Sequence, residues 1–169
     1  IQLVLIPKKA YRVRFGMTMV FSQVLSLHKA KIMHLYKEAY PDRGQKKAHL
    51  LSSLIDAPTI KGITCHFDDV FAGFILVQQN KSSGDIIEII TAPSLRRRGI
   101  GSGLLDALTS LLKNKQISEL FLEVSADNHG AQALYMKHGF DRVGKRDRYY
   151  RRQDQFVDAI VMKKRLMSS

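Results

Sequence analysis

Residues 86–103, IIEIITAPSLRRRGIGSG, constrain the fold most. The apolar start reads as a buried strand, stopped by Pro93, which has no N–H for a sheet ladder. A basic loop with Arg96, Arg97, Arg98, Gly99 and Gly101 then opens into a helix predicted over residues 102–113. There Leu104, Leu105, Leu108, Leu111 and Leu112 recur at the spacing of one helix face. A strand that feeds a helix in this way rejoins its sheet by a right-handed parallel crossover. The chain is therefore expected to be α/β (α+β), with helices packed on a central sheet.

The remaining pattern agrees. Residues 17–24 read as a strand, and Ser26 as the N-cap of a helix to about residue 39 with Leu27, Ile32, Met33 and Leu35 apolar. Tyr40-Pro41-Asp42-Arg43-Gly44 is a loop by its turn residues, and 45–56 a helix with Leu50, Leu51, Leu54 and Ile55 on its apolar side. Strands are predicted over 59–67, 70–79, 86–91, 119–125, 141–148 and 156–164, and a helix over 130–138. The order is β-α-α-β-β-β-α-β-α-β-β, and connections through helices should be parallel. A chain of 169 residues suits one domain. Residues 1–16 stand apart, as a strand added to the sheet edge or a loosely held arm, with 17–166 as the domain and 167–169 as a tail.

Several classes are disfavoured by composition. No apolar run nears the roughly 18–20 residues that cross a bilayer, so no membrane partner is expected. Cys65 is the single cysteine, which excludes an internal disulfide framework and a multi-cysteine zinc site, and suits a reducing cytosol. The six histidines show no ligand spacing, so no metal is expected. The formal net charge is +12 and is clustered: +4 in residues 1–16, +3 from Arg96 to Arg98, and +4 in residues 140–152. Nucleic acid, an acidic surface or a polyanionic small molecule would each suit such charge.

Two segments carry candidate chemistry. The loop of Arg96 to Ser102 is either a solvated basic turn or an anion site, because the first amides of a helix lack internal partners and face outward with the positive dipole end. In residues 120–140, Phe121, Glu123 and Ser125 share one strand face. Glu123 in so apolar a strand belongs either on a wet face or in a cleft. Tyr135 lies in the next helix, as a core residue or a site residue.

Together these segments resemble a family. Arg96-Arg97-Arg98-Gly99-Ile100-Gly101 is similar to the (Gln/Arg)-x-x-Gly-x-(Gly/Ala) acetyl-CoA loop of GNAT N-acetyltransferases. The spacing onward to Leu122-Glu123-Val124, Ala126-Asp127-Asn128, Ala133-Leu134-Tyr135 and Gly139-Phe140 is also similar. Tyr149-Tyr150, followed by Asp158-Ala159-Ile160-Val161-Met162, resembles the bacterial branch that acetylates the N-terminal alanine of a ribosomal protein. The likeness runs from about residue 17 to 166. Two features depart from it. The loop at Tyr40 to Gly44 stands where relatives often have tryptophan, absent from this chain, and residues 1–16 have no counterpart, so Met17 or Met19 would be the natural start.

The resemblance implies a GNAT fold, a mixed, mostly antiparallel sheet of about seven strands, split by a V-shaped cofactor cleft and flanked by about four helices. It implies acetyl-CoA as cofactor, with coenzyme A as product. The pyrophosphate would rest on the amides of Arg98, Gly99, Ile100, Gly101 and Ser102, beside Arg96 and Arg97. Ile89, Ile90 and Thr91 would line the pantetheine arm, with the backbone of Ile89 and Thr91 pairing to it, and Asn128 would hydrogen-bond it. Attack would be direct, in a ternary complex, with Glu123 as general base and Tyr135 as general acid near the sulfur. A glutamate near its ordinary pKa of about 4.3 is a weak base, so a raised pKa or a water relay is required. Tyr40, Arg43, Glu123, Tyr149 and Tyr150 would frame the acceptor, the N-terminal alanine of a ribosomal protein in the cytoplasm. Two other readings stand: the same fold acting on a lysine side chain, an antibiotic or a polyamine, or a basic RNA- or ribosome-binding module without activity, using residues 142–152.

Overall fold

The computed structural model describes residues 9–12, 18–113, 116–152 and 155–166. In chain order they form β1 (Lys9–Arg12), β2 (Thr18–Gln23), α1 (Lys29–Ala39), α2 (Gly44–Leu54), β3 (Ile60–Phe67), β4 (Val70–Asn80), β5 (Ser83–Thr91), α3 (Ile100–Lys113), β6 (Glu119–Ser125), α4 (His129–Lys137), β7 (Asp141–Arg152) and β8 (Gln155–Arg165). Short 3-10 turns precede α1, α2 and α3. One sheet contains all eight strands in the order β1-β2-β3-β4-β5-β6-β8-β7, with β5–β6 its one parallel pair. Seven of these are the expected strands. The eighth, β1, falls within the N-terminal extension and pairs with β2 from Lys9↔Phe21 to Arg12↔Thr18.

The centre of the sheet is buried on both faces, which is why Ala72 to Val77 of β4 are continuously apolar. On one face lie α1 and α2, whose Ile32, Leu35, Tyr36, Ala48 and Leu51 pack with Phe74, Leu76 and Ile90. On the other lie α3 and α4, whose Ile100, Leu104, Leu105, Leu108 and Tyr135 pack with Ile75, Val77, Ile86, Leu122 and Val124. The five leucines expected to form the buried side of α3 are all buried.

Three local expectations are corrected. Ser26 does not cap α1. It begins a 3-10 turn whose N-cap is Leu25, and its hydroxyl donates to Asp56 Oδ1 at 2.7 Å. The turn also rotates Leu27 to the surface, and Leu50 of α2 is exposed while Leu51 and Ala48 are buried. Finally, β2 and β3 are antiparallel although two helices join them. One helix carries a chain back across the sheet, but two return it to the end it left. The single-helix crossover through α3 is parallel as expected. Among the described residues no helix is long and apolar enough to cross a membrane, and no group of three or more His, Cys, Asp or Glu is placed to hold a metal ion.

Candidate active site

Strands β5 and β6 pair from Ser83↔Glu119 to Ile86↔Leu122, and the ladder stops there. Beyond it β5 stays on β4 as far as Gly73↔Thr91, and β6 stays on β8 as far as Ser125↔Ala159. Each strand keeps its outer partner while the inner edges part. The register also slips here: Val77 faces Ile86, Leu76 faces Glu88, and Ile87 is the extra residue. A bulge bends its strand and increases its twist.

The bulge also resets which way β5 side chains point. Ile86 packs on the α3 side, as does its partner Val77. Glu88 shares a face with its partner Leu76, which packs on the α1–α2 side. Strict alternation from Ile86 would have turned Glu88 into the apolar α3 side. Glu123 likewise faces away from α3, because its neighbours Leu122 and Val124 pack there. Two carboxylates therefore stand on the two lips of the split, on one face of the sheet.

The split holds a cavity of about 160 Å³, lined among others by Tyr40, Lys47, Glu88, Glu123, Tyr135 and Tyr150. Glu88 is 10% exposed and forms an ion pair with Lys47 of α2, Nζ to Oε2 3.3 Å. Glu123 is 25% exposed and its Oε1 lies 2.5 Å from Arg146 Nε. The Tyr149 hydroxyl donates to the Glu123 carboxylate, which with partial burial raises the tyrosine pKa. Tyr150 donates to the Glu123 backbone carbonyl at 3.3 Å. A second register shift makes this possible. Between Arg146↔Ala159 and Tyr150↔Val157, three residues of β7 oppose Asp158 alone. Asp158 holds the irregularity by accepting from Arg148 N–H at 2.8 Å and Lys145 Nζ at 3.0 Å, with Arg148 at φ +54°. Asp158 is thus committed to the hairpin.

Tyr135 reaches the split from the α4 side. Burial, then the charges of Glu88, Tyr40 and Tyr150, hold its pKa well above the usual tyrosine value. It keeps its proton at working pH and can serve as a donor.

At the other end, helix α3 starts at Ile100, two residues before the sequence-based boundary. Arg97 at φ +63° and Gly99 at φ +85° turn the chain into it, and Gly103 N–H donates to the Gly99 carbonyl at 3.0 Å. Arg96, Arg97 and Arg98 are exposed, and Arg98 lies over the Phe67 ring at 5.5 Å. Gly101 is pressed against α4: an added Cβ would lie 3.1 Å from Leu134. Asn128 lines the cavity and N-caps α4, its Oδ1 accepting from Ala131 N–H at 3.1 Å.

The structure thus brings Tyr40, Ile89, Glu123, Asn128, Tyr135 and Tyr150 to one cavity, with Tyr149 on Glu123. Ile90 turns its side chain into the α1–α2 core, and the Arg43 side chain lies outside the described residues. Cys65 is buried, with its thiol pushed up to about 12 by that burial, and is not among the residues that line the cavity. Glu88 and Lys47 were missed. The available signal was a lone carboxylate in an apolar strand, the same argument that singled out Glu123.

A sheet split between two parallel neighbours, with a glycine-bearing helix start at one end, defines a class, and comparison with known proteins agrees. The chain belongs to the Acetyltransferase (GNAT) family, whose profile matches residues 29–140. It is 36% identical over 95 residues to the [Ribosomal protein bS18]-alanine N-acetyltransferase of Salmonella typhimurium, covering 56% of this chain and 64% of that protein. With the Escherichia coli protein of that name it shares 35% over 91 residues, or 54% and 62%. The match thus spans less than two thirds of these relatives' length. The crystal structure of the ribosomal-protein-S18-alanine N-acetyltransferase from Escherichia coli superposes with a TM-score of 0.81 at 24% identity, covering 89% of this chain and 96% of that one, a likeness of fold.

Proposed function

We propose that this protein moves the acetyl group of acetyl-CoA to the α-amine of a polypeptide, foremost the N-terminal alanine of a ribosomal protein, by direct attack in a ternary complex. The observation that carries the reading is the parting of β5 and β6 beyond Ile86 and Leu122, with Glu123 and Tyr135 at the gap. Likeness to ribosomal-protein alanine acetyltransferases supports the choice of acceptor.

The residues fit acetyl-CoA. Gly99 at φ +85° and the start of α3 offer backbone amides and a positive dipole end to a pyrophosphate, beside three exposed arginines. The β6-facing edge of β5 beyond Ile86 suits the amide-bearing pantetheine arm, through Ile89 and Thr91. When bound, the cofactor supplies an acetyl group activated as a thioester. An α-ammonium with a pKa of about 7.7–8.0 must lose a proton before it attacks. Glu123 accepts that proton through water, and Tyr135 presents its own to the leaving sulfur. Tyr40, Tyr149 and Tyr150 frame the acceptor, Arg43 beside them by sequence position. Residues 17–166 form the catalytic unit and 1–16 an extension, acting in the cytoplasm, where a lone thiol stays reduced.

Residues 142–152 form a second contact, to ribosomal RNA. The support is β7 itself, exposed from Asp141 to Tyr149 and rich in arginine. The deciding experiment for the main reading is mass spectrometry of ribosomal proteins and an alanine-starting peptide after incubation with acetyl-CoA. One acetyl group on the α-amine is expected. An unmodified peptide beside an acetylated small amine would overturn the reading.

A further inference from the structure

The cavity contains a second carboxylate that the proposed chemistry leaves unused. We propose that Glu88 holds the acceptor's ammonium group, and that Lys47 is its internal stand-in, displaced when the acceptor enters. This rests on the acetyl-transfer reading above and adds the residue that selects a cationic amine.

Three observations carry it. First, the Ile87 bulge alone turns Glu88 out of the α3 core and onto the acceptor side of the split, facing Glu123 across the gap. Bulges beside active sites serve to re-aim a side chain. Second, the partners of the two carboxylates differ. Glu123 is gripped by the Arg146 guanidinium at 2.5 Å and by the Tyr149 hydroxyl. Lys47 lies at 3.3 Å from Glu88, on a flexible four-carbon stem, and is 43% exposed. Its ammonium can swing into water. Third, Glu88 and Tyr135 line the same cavity, and the Glu88 charge bears on the group proposed to face the leaving sulfur.

A carboxylate that is 10% exposed needs a cationic partner, because an unpaired buried charge is costly. Exchanging the ammonium of Lys47 for that of the acceptor leaves the cavity's charge unchanged. A neutral or acidic group entering at the same place would remove the Lys47 ammonium without replacing its charge. The exchange therefore selects primary ammonium groups, and it makes Lys47 a competitor of the substrate.

The test is steady-state kinetics with an alanine-starting peptide and acetyl-CoA, on the full chain and three variants. Glu88→Gln, which keeps the shape and removes the charge, should raise the peptide KM at least about tenfold, the usual worth of a hydrogen bond to a charged group. The acetyl-CoA KM should not move. Lys47→Met keeps the apolar stem and should lower the peptide KM. In Glu88→Gln/Lys47→Met the second change should have no further effect. An unchanged peptide KM in Glu88→Gln, equal weakening of both substrates, or a peptide KM raised by Lys47→Met would each overturn the proposal, the last making the pair structural. Lys47→Met alone still decides if Glu88→Gln folds poorly. If the wild type acetylates a small primary amine and not the peptide, the polypeptide reading fails, and the same variants judge Glu88 on that amine.

Discussion

Carboxylates of one chemical type stand on both lips of the split, and their neighbours assign them different work. Glu123 is held in place by Arg146, Tyr149 and the local backbone, so a water against it has a fixed acceptor. Glu123→Gln should lower kcat by about 10²–10⁴-fold, the usual worth of general acid–base catalysis, with acetyl-CoA affinity unchanged by calorimetry. Equal loss of cofactor affinity would count against its role as base. A different titration belongs to His28, remote from the chemistry. Its Nδ1 accepts from Leu25 N–H at 2.9 Å, which requires that nitrogen unprotonated. Burial, then His66 and Lys31, lower its pKa, and burial and Lys31 lower that of His66 against an opposing Asp69. Unfolded, both titrate near 6.5. Below that pH the unfolded chain binds more protons than the folded one, so this stability is complete above about pH 6.5 and is lost as pH falls toward the folded values. Thermal unfolding should give a flat Tm from pH 8 to about 7 and a decline below it. His28→Asn, which keeps an acceptor, should flatten that decline, and an unaltered slope would assign it to other groups.

At the scale of elements, close approach decides two glycines. A Cβ at Gly103 of α3 would lie 2.3 Å from Cζ of the Phe21 ring of β2. Overpacking costs about 1–3 kcal/mol, against roughly 1 kcal/mol that alanine gains over glycine in a helix. Gly103→Ala should therefore lower Tm in calorimetry, and a rise would mean that α3 can shift on the sheet. Gly101 stands at the helix start against Leu134. Gly101→Glu should weaken acetyl-CoA by at least about 100-fold, since like charges placed together cost several kcal/mol. Unaltered binding in calorimetry would remove the loop assignment. The order of elements and the α3 leucines were legible from the sequence because apolar spacing follows helix period. The bulge at Ile87 and the irregularity at residues 147–149 were not. Ile87 and residues 147–149 look like ordinary strand positions, and only pairing with β4 and β8 reveals the extra residues. Those irregularities aim Glu88, Tyr149 and Tyr150, so the sequence pattern found Glu123, whose strand is regular, and missed Glu88, whose strand is not. Ser26 misled for a related reason: its hydroxyl has Asp56 as a partner from far along the chain.

Across the whole molecule, a formal charge of +12 overstates what is offered to a polyanion. Arg96 to Arg98 sit beside the proposed cofactor loop. Residues 140–152 hold six cations: Arg142, Lys145, Arg146, Arg148, Arg151 and Arg152. At least three of these are engaged within the protein. Arg142 donates to Gln132 Oε1 at 2.7 Å, Lys145 pairs with Asp147 at 2.6 Å and Asp158 at 3.0 Å, and Arg146 holds Glu123. Their charge is spent on fixing the hairpin and one lip of the cleft, which also lessens repulsion toward the basic ribosomal substrate proposed above. A single-stranded RNA contact loses affinity with salt in proportion to the phosphates neutralised, with a log–log slope of about −0.7 for each. Six contacts would give about −4, whereas three or fewer give a slope no steeper than about −2. Filter binding of the protein to single-stranded RNA between 50 and 200 mM salt should therefore yield the shallower slope. A slope near −4 would mean that RNA pulls Arg142, Lys145 and Arg146 from their partners. Acetylation of the alanine peptide should then fall when RNA is added, because Glu123 would lose the guanidinium that holds it.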